Sequence, residues 1–221
     1  MSSPLQDFAH RFDVRWTFFK RIPPGACVLE LGCGIGVNFG NLTSMNPTVQ
    51  FHGIDLLPPS DVPAGIHYTR MNLESASLPF ADGTFDAVLF THVIEHLRET
   101  DQVGNEISRV LKPGGIIYVE TPNWTSMLVP SFRFRREQHN PFNFFDDPTH
   151  VRPYTKHSLF AFVTDTCRLR LERVGTVRNW PRMPWDFLKI FYGLISGNRG
   201  KVINAFWSIY GWCIYAVGRK E

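Results

Sequence analysis

Short apolar runs of five to seven residues recur along the first 130 positions, separated by longer segments in which apolar residues return every three or four places. The runs Cys27 to Leu31, Phe51 to Leu56, Ile66 to Asn72, Phe85 to Phe90 and Ile116 to Glu120 predict strands, most of them buried on both faces. Gly36 to Met45 and Asp101 to Leu111 predict helices. Lys112-Pro113-Gly114-Gly115 stops the second one, because proline and glycine do not sustain helical geometry. Such alternation predicts an α/β fold with a mainly parallel sheet and helices on both faces.

After Thr121-Pro122 the texture changes. The stretch NWTSMLVPSFRFRREQHNPFNFFDDPTH reads as a long loop, a length that in a compact domain usually carries function. Tyr154 to Thr166 then predicts a helix, Leu169 to Arg178 a strand and Trp212 to Val217 a last strand. Between these two strands lies an aromatic segment, Trp180 to Tyr210, in which Phe187, Ile190, Phe191 and Leu194 share one helical face. The expectation is an apolar cavity walled by this segment and the Phe132 to Phe145 loop. A homodimer interface and peripheral contact of 180–210 with a membrane stay open as alternatives.

Composition narrows the class. The chain has 221 residues, 43% of them hydrophobic and 19% charged, which suits one domain with a sizeable core and excludes wholesale disorder. Its four cysteines form no CxxC pair, so neither a disulfide framework nor a structural zinc site is expected. MSSPLQDFAHRFDVRW lacks the apolar core of a secretory signal, and Val202 to Gly218, uncharged for 17 residues, falls short of the roughly 20 that a spanning helix needs. A cytoplasmic protein is expected, with attachment at the inner membrane face left open. Residues 1–130 hold 8 Lys/Arg against 13 Asp/Glu, and residues 131–221 hold 15 against 7. The basic C-terminal part suits an anionic partner or a solvated surface.

The first strand runs into a glycine turn, Glu30-Leu31-Gly32-Cys33-Gly34-Ile35-Gly36, that opens a helix. Glycine tolerates positive φ there and lets the backbone approach a ligand. The second strand brings Asp55 to the neighbouring carboxyl edge, where a carboxylate can accept both ribose hydroxyls. Together these point to a nucleoside-containing cofactor. The glycine spacing is tighter than that of the dinucleotide fingerprint. With Glu30 two residues before the first glycine, it resembles motif I of the class I S-adenosylmethionine-dependent methyltransferases. Leu78-Pro79-Phe80-Ala81-Asp82-Gly83-Thr84-Phe85-Asp86-Ala87-Val88 and Ile107-Ser108-Arg109-Val110-Leu111-Lys112-Pro113-Gly114-Gly115 resemble that family's segments before its fourth and fifth strands.

The resemblance implies a Rossmann-like seven-stranded sheet with an antiparallel last strand, residues 22–122 forming the cofactor-binding core of a single domain 1–221, and lid insertions at 123–153 and 180–210. It implies S-adenosyl-L-methionine as cofactor and S-adenosyl-L-homocysteine as product. Glu30, Gly32, Cys33, Gly34 and Gly36 would hold the methionine end, Asp55 the ribose, and Leu56, Asn72 and Leu73 the adenine, with Thr91 at the methyl side. Asn72 stands where many members carry Asp.

Methyl transfer from a sulfonium is chiefly a matter of alignment, and a base matters when the acceptor is a hydroxyl. A helix starting at Thr91-His92-Val93-Ile94-Glu95-His96 would place His92, Glu95 and His96 on one face. That segment is similar to one in ubiquinone-biosynthesis O-methyltransferases. Capping and packing are the simpler roles for Glu95 and His96, and no metal is expected. Asp146-Asp147-Pro148-Thr149-His150 resembles an element of polysaccharide- and lipid-pathway methyltransferases, and His150, with Asp146 or Asp147 orienting it, is the favoured general base ahead of His92. A structural role fixing the lid is equally open to it. Arg133, Arg135 and Arg136 among phenylalanines suit phosphate or carboxylate contacts, or plain stacking. The expected acceptor is a small molecule, apolar or anionic, methylated at a hydroxyl of a sugar, glycolipid, quinone or secondary metabolite. The alternatives are a tRNA or rRNA methyltransferase, disfavoured because no nucleic-acid-binding element is visible, and a cofactor-binding docking protein without turnover.

Overall fold

A computed structural model describes residues 13–75, 77–131 and 143–221. In chain order the elements are α1 (Val14–Phe19), β1 (Cys27–Leu31), α2 (Val37–Met45), β2 (Gln50–Asp55), β3 (His67–Arg70), β4 (Phe85–Thr91), α3 (Asp101–Val110), β5 (Leu111–Pro122), α4 (Lys156–Ala161), β6 (Arg170–Thr176), α5 (Met183–Ser196), α6 (Arg199–Tyr210) and β7 (Cys213–Arg219). The strands form one sheet in the order β3-β2-β1-β4-β5-β7-β6. The pairs among β1 to β5 are parallel, and β7 is antiparallel to both its neighbours.

Strand alternation sends successive residues to opposite faces, and both faces are covered. Leu29, Leu31, Val88, Phe90, Ile117 and Val119 join one core with Ile107 of α3 and Phe162. Val28, Ala87, Leu89, Ile116 and Tyr118 join another with Phe18, Phe19 and Leu42 from α1 and α2. Phe85 is fully buried, and the edges of its ring meet Phe80 at 4.8 Å and His52 at 5.3 Å between ring centres.

The observed boundaries depart from the sequence expectation in three places. Lys112 to Gly115 do not merely stop α3. They form the irregular start of β5, where Phe85 and Ala87 oppose Leu111 and Ile116 and Gly114 takes φ 78°. The third strand is short, because the turn after it begins at Asn72, whose side chain accepts the Glu74 N–H. The helix expected from Tyr154 begins only after Thr155, whose hydroxyl caps it, and widens into a π turn over Phe162–Thr166.

The segment between β6 and β7 folds as a helical hairpin. α5 ends at Gly197 in left-handed geometry, Asn198 caps α6, and α5 and α6 pack closely at Gly193, where a side chain would meet Val202. Among the described residues no helix is long and apolar enough to cross a membrane. Because Phe85 fills the centre of its aromatic cluster, Phe85→Ala is expected to cost about 3–5 kcal/mol. Urea unfolding measures this, and a loss under ~1 kcal/mol would mean that the site collapses around the gap.

Candidate active site

The carboxyl ends of β1, β4 and β5 meet at one edge of the sheet, and the glycine turn follows β1 there. Gly32, Gly34 and Gly36 have φ of 74°, 50° and 76°, a region that side chains resist. At Gly32 a Cβ would lie 2.1 Å from Val93, whereas at Gly34 it would meet open space. The turn is pinned to β2 by Asp55, whose carboxylate accepts the N–H groups of Gly34 at 2.8 Å, Leu56 at 2.7 Å and Leu57 at 3.1 Å.

Behind the turn, Glu30 is buried at the end of β1. Its Oε1 accepts from Asn38 Nδ2 at 2.5 Å and from Thr91 Oγ1 at 3.5 Å, while its Oε2 has no partner. Burial raises its carboxyl to about 7, against the opposing effect of Asn38 and Arg15. Burial also pushes the Cys33 thiol up to about 12, which removes it as a nucleophile near neutral pH.

Arg15 of α1 reaches this edge from outside the sheet, donating to Asn38 Oδ1 at 3.2 Å and to Glu120 Oε1 at 2.6 Å. Glu120, at the end of β5, also accepts the hydroxyl proton of Tyr118. Burial opposes its ionisation, but Arg15 and His92 hold the carboxyl well below the usual range.

His92 does not begin a helix. It takes left-handed backbone geometry at φ 55°, with only a short 3-10 turn, Ile94–His96, after it. This twist aims Nε2 at Glu120, 3.3 Å away, and Nδ1 at Glu95, 3.5 Å away, with Cys213 Sγ 3.9 Å from Nε2. Burial alone would lower the imidazole pKa, but Cys213, Glu120 and Glu95 together raise it well above 6.5. The expected face of His92, Glu95 and His96 is therefore split. His96 turns away to hydrogen-bond Thr149 and to pack on the ring of His150.

A cavity of about 980 Å³ joins these groups. Its floor includes Glu30, the glycine turn, Asn38, Thr91, His92, Glu120 and Cys213, and its wall is the α5–α6 hairpin with the residues leading into it. The hairpin brings charged side chains, Arg182, Asp186, Lys189 and Lys201, to the cavity beside Ala205 and Trp207, while the Phe and Leu stripe expected from sequence to wall it does not line it. Asp186, buried, ion-pairs with Arg182 at 3.4 Å and Lys189 at 3.0 Å, while Phe187, Phe191 and Leu194 are exposed to solvent. The apolar stripe marked the outside of the helix.

His150, the base favoured from sequence, is not among the residues lining this cavity. Its side chain is 5% exposed, Nδ1 is held by the Phe144 carbonyl at 2.6 Å, and Nε2 lies 4.0 Å from Glu95 and 3.9 Å from Asp147. Burial lowers its pKa. Asp146 does not orient it, since that carboxylate caps Asn143. Leu56 is exposed, Leu73 is buried and Asn72 is turned into its own loop, and none of the three lines the cavity, nor does Asp55. Phe132 to Phe142, with Arg133, Arg135, Arg136 and His139, lie outside the described residues. Among the described residues, two groups could hold a metal ion by the proximity of their donors: His92, Glu120 and Cys213, and Glu95, His96 and His150.

Arg15, Asn38, Glu120 and Cys213 were missed in the sequence. For Glu120 a signal existed, a lone carboxylate closing the apolar run Ile116 to Val119.

Residues 29–119 match the family model of the methyltransferase domain. The sheet order and the glycine turn agree with that match. The match, the relatives and the fold together support a class I S-adenosylmethionine-dependent methyltransferase. Against 2-methyl-6-phytyl-1,4-hydroquinone methyltransferase of Synechocystis sp., the chain is 29% identical over 209 residues, covering 86% of this chain and 60% of that one. The chain spans 31% to 42% of the length of other curated relatives. An S-adenosylmethionine-dependent methyltransferase from Mesorhizobium loti superposes with a TM-score of 0.63 at 14% identity, over 96% of this chain and 100% of that one. Geranyl diphosphate C-methyltransferase from Streptomyces coelicolor A3(2) gives 0.63 at 15% identity, over 98% and 80%. These two likenesses concern the fold.

The glycines of the methyltransferase turn should separate stability from ligand access. Gly32→Ala adds a clash to left-handed strain and is expected to lose more than the ~1–2 kcal/mol of strain alone. Gly34→Ala pays the strain without the clash. Thermal unfolding of both variants tests the order, which fails if Gly34→Ala is the less stable.

Proposed function

We propose that the protein transfers a methyl group from S-adenosylmethionine to a small-molecule acceptor, at a hydroxyl, within the cavity between the glycine turn and the α5–α6 hairpin. The observation that carries this reading is the cavity itself, which runs from the unpartnered Glu30 Oε2 and the open face of Gly34, past His92, to the charged side chains of the hairpin. These features fit the cofactor: a buried carboxylate oxygen lacking a donor suits its ammonium, and Gly34 leaves the space a side chain would fill. When bound, the cofactor supplies an electrophilic methyl on a positively charged sulfur.

The rest is the work of this chain. Glu30 and the turn Gly32 to Gly36 hold the amino-acid end, and Asp55 keeps one lone-pair site, on Oδ2, for a ribose hydroxyl after its three backbone contacts. Leu56, Asn72 and Leu73 flank the adenine position. His92, fixed between Glu120 and Glu95, faces the acceptor side beside Thr91, and its neutral form takes the hydroxyl proton. His92 thus replaces His150 as the proposed base. His150 acts from behind, packing Glu95 and the 143–153 segment. The domain assignment follows the same reading, with 22–122 as the cofactor core and the 180–210 hairpin as the acceptor-side lid. The relative named for a hydroquinone substrate supports a small-molecule acceptor.

Two outcomes are expected. Because Glu30 sits near 7, homocysteine-product affinity should fall as pH drops below about 7 and Glu30 takes up a proton. Glu30→Gln should flatten that dependence in calorimetry, and an unchanged pH dependence would remove Glu30 from the ligand. For a hydroxyl acceptor, kcat/KM should rise with pH through an apparent pKa above 6.5, since a raised pKa keeps His92 protonated and inactive as a base below it. His92→Gln should abolish that limb and lower the rate by about 10²- to 10⁴-fold. His150→Gln should leave the limb in place; the opposite pattern would restore His150 as the base.

A further inference from the structure

Four cations lead into or line the hairpin wall of the cavity: Arg178, Arg182, Lys189 and Lys201. The only carboxylate facing them from the hairpin is Asp186, and from Val177 to Trp212 the chain contains no other Asp or Glu. Asp186 pairs with Arg182 and Lys189. Arg178 is pinned by its hydrogen bond to the Tyr210 carbonyl at 2.9 Å and lies over the Trp180 ring, and Lys201 lies over the ring of Tyr192. Neither has a carboxylate within ion-pair distance among the described residues.

On the opposite, floor side of the cavity stand the carboxylates Asp13, which accepts the Arg15 and Trp16 N–H groups, Glu30, and Glu120, which meets both Arg15 and His92. The wall therefore keeps an excess of about three positive charges, more than one carboxylate neutralises. Asp186 adds a second sign of a ligand. It is 1% exposed and its Oδ2 has no hydrogen-bond partner, so it calls for one donor, such as a hydroxyl or a singly protonated phosphate oxygen.

We propose that this wall is a phosphoryl subsite, and that the acceptor carries a phosphate or diphosphate group which Arg178, Arg182, Lys189 and Lys201 hold while its hydroxyl reaches His92. The proposal rests on the methyl-transfer reading of the same cavity. Arginine and lysine together suit the group, the one by its planar fork and the other as a point charge. Such an acceptor arises free or at the head of a lipid. The outer face of α5 bears on the source, since Trp185, Leu188, Phe191 and Ile195 are more than half exposed at helical spacing, on a hairpin with no acidic group outside the cavity.

The test titrates inorganic pyrophosphate into the full chain saturated with S-adenosylhomocysteine, at constant ionic strength. Binding should weaken about fivefold in Arg178→Gln and in Lys201→Gln, the upper range for a partly exposed ion pair. Lys20→Gln, at a remote exposed cation, should change nothing. Homocysteine-product affinity should stay as in the parent throughout; if the parent fails to bind that product, the methyl-transfer reading falls, separately from this one. In a second arm, vesicles of phosphatidylcholine with phosphatidic acid are sedimented with the chain. Retention that pyrophosphate displaces assigns the group to a lipid, and pyrophosphate binding without retention assigns it to a free metabolite. Absence of both, or equal weakening by Lys20→Gln, overturns the phosphoryl subsite.

Discussion

One arginine makes the active edge of the sheet tenable. Glu30, Glu95 and Glu120 are all buried where β1, β4 and β5 end, and a buried carboxylate without compensation costs several kcal/mol. Arg15 comes from α1, outside the sheet, and bonds Glu120 directly and Glu30 through Asn38. The compensation is uneven. Glu120 meets the guanidinium and is held ionised, whereas Glu30, reached only through an amide, rises to about 7. His92 lies between Glu120 and Glu95 and is raised by the same acidic surroundings. The N-terminal helix thus sets the charge state of the floor on which cofactor and acceptor are proposed to meet.

That dependence explains which parts of the site were legible in the sequence. The glycine turn and Asp55 announce themselves locally, because their spacing follows from the chain passing once from strand to helix and once along the next strand. Arg15 and Glu120 lie 105 positions apart, and no local pattern relates them. His92 was visible as a residue but not as a geometry. A helical reading put it beside His96, and only its left-handed backbone shows that it faces Glu120 instead. His150 meets a related limit, since a loop motif places a residue near an edge without saying that Phe144 and Glu95 will enclose it.

The fold itself was easier to read. Runs of Val, Leu and Phe long enough for strands and too short for helices alternate with capped periodic segments, and five strands follow from that alone. The misread pieces are those where proline and glycine had two uses. Lys112 to Gly115 both end α3 and begin β5 as an irregularity, and a stop signal does not disclose that the stopped chain continues as strand.

The hairpin shows how topology decides the use of an insertion. β7 is antiparallel to β5 and to β6, so β6 runs the same way as the parallel strands and finishes at their carboxyl edge, where β7 begins. Whatever connects Thr176 to Cys213 must leave and return at that edge. A long insertion there covers the glycine turn whether its surface is apolar or charged, so position alone could not reveal the chemistry of the wall. The residue types do, once the faces are known. Arg182, at the N-cap of α5, and Asp186 and Lys189 within it line the cavity, and Gly193 allows α6 to close against the helix. The large apolar residues are left facing out. An amphipathic helix whose charged stripe faces a cavity and whose apolar stripe faces solvent is the reverse of the usual arrangement; buried Asp186 pairs with Arg182 and Lys189, which keep part of their surface in the open cavity rather than in a dry core.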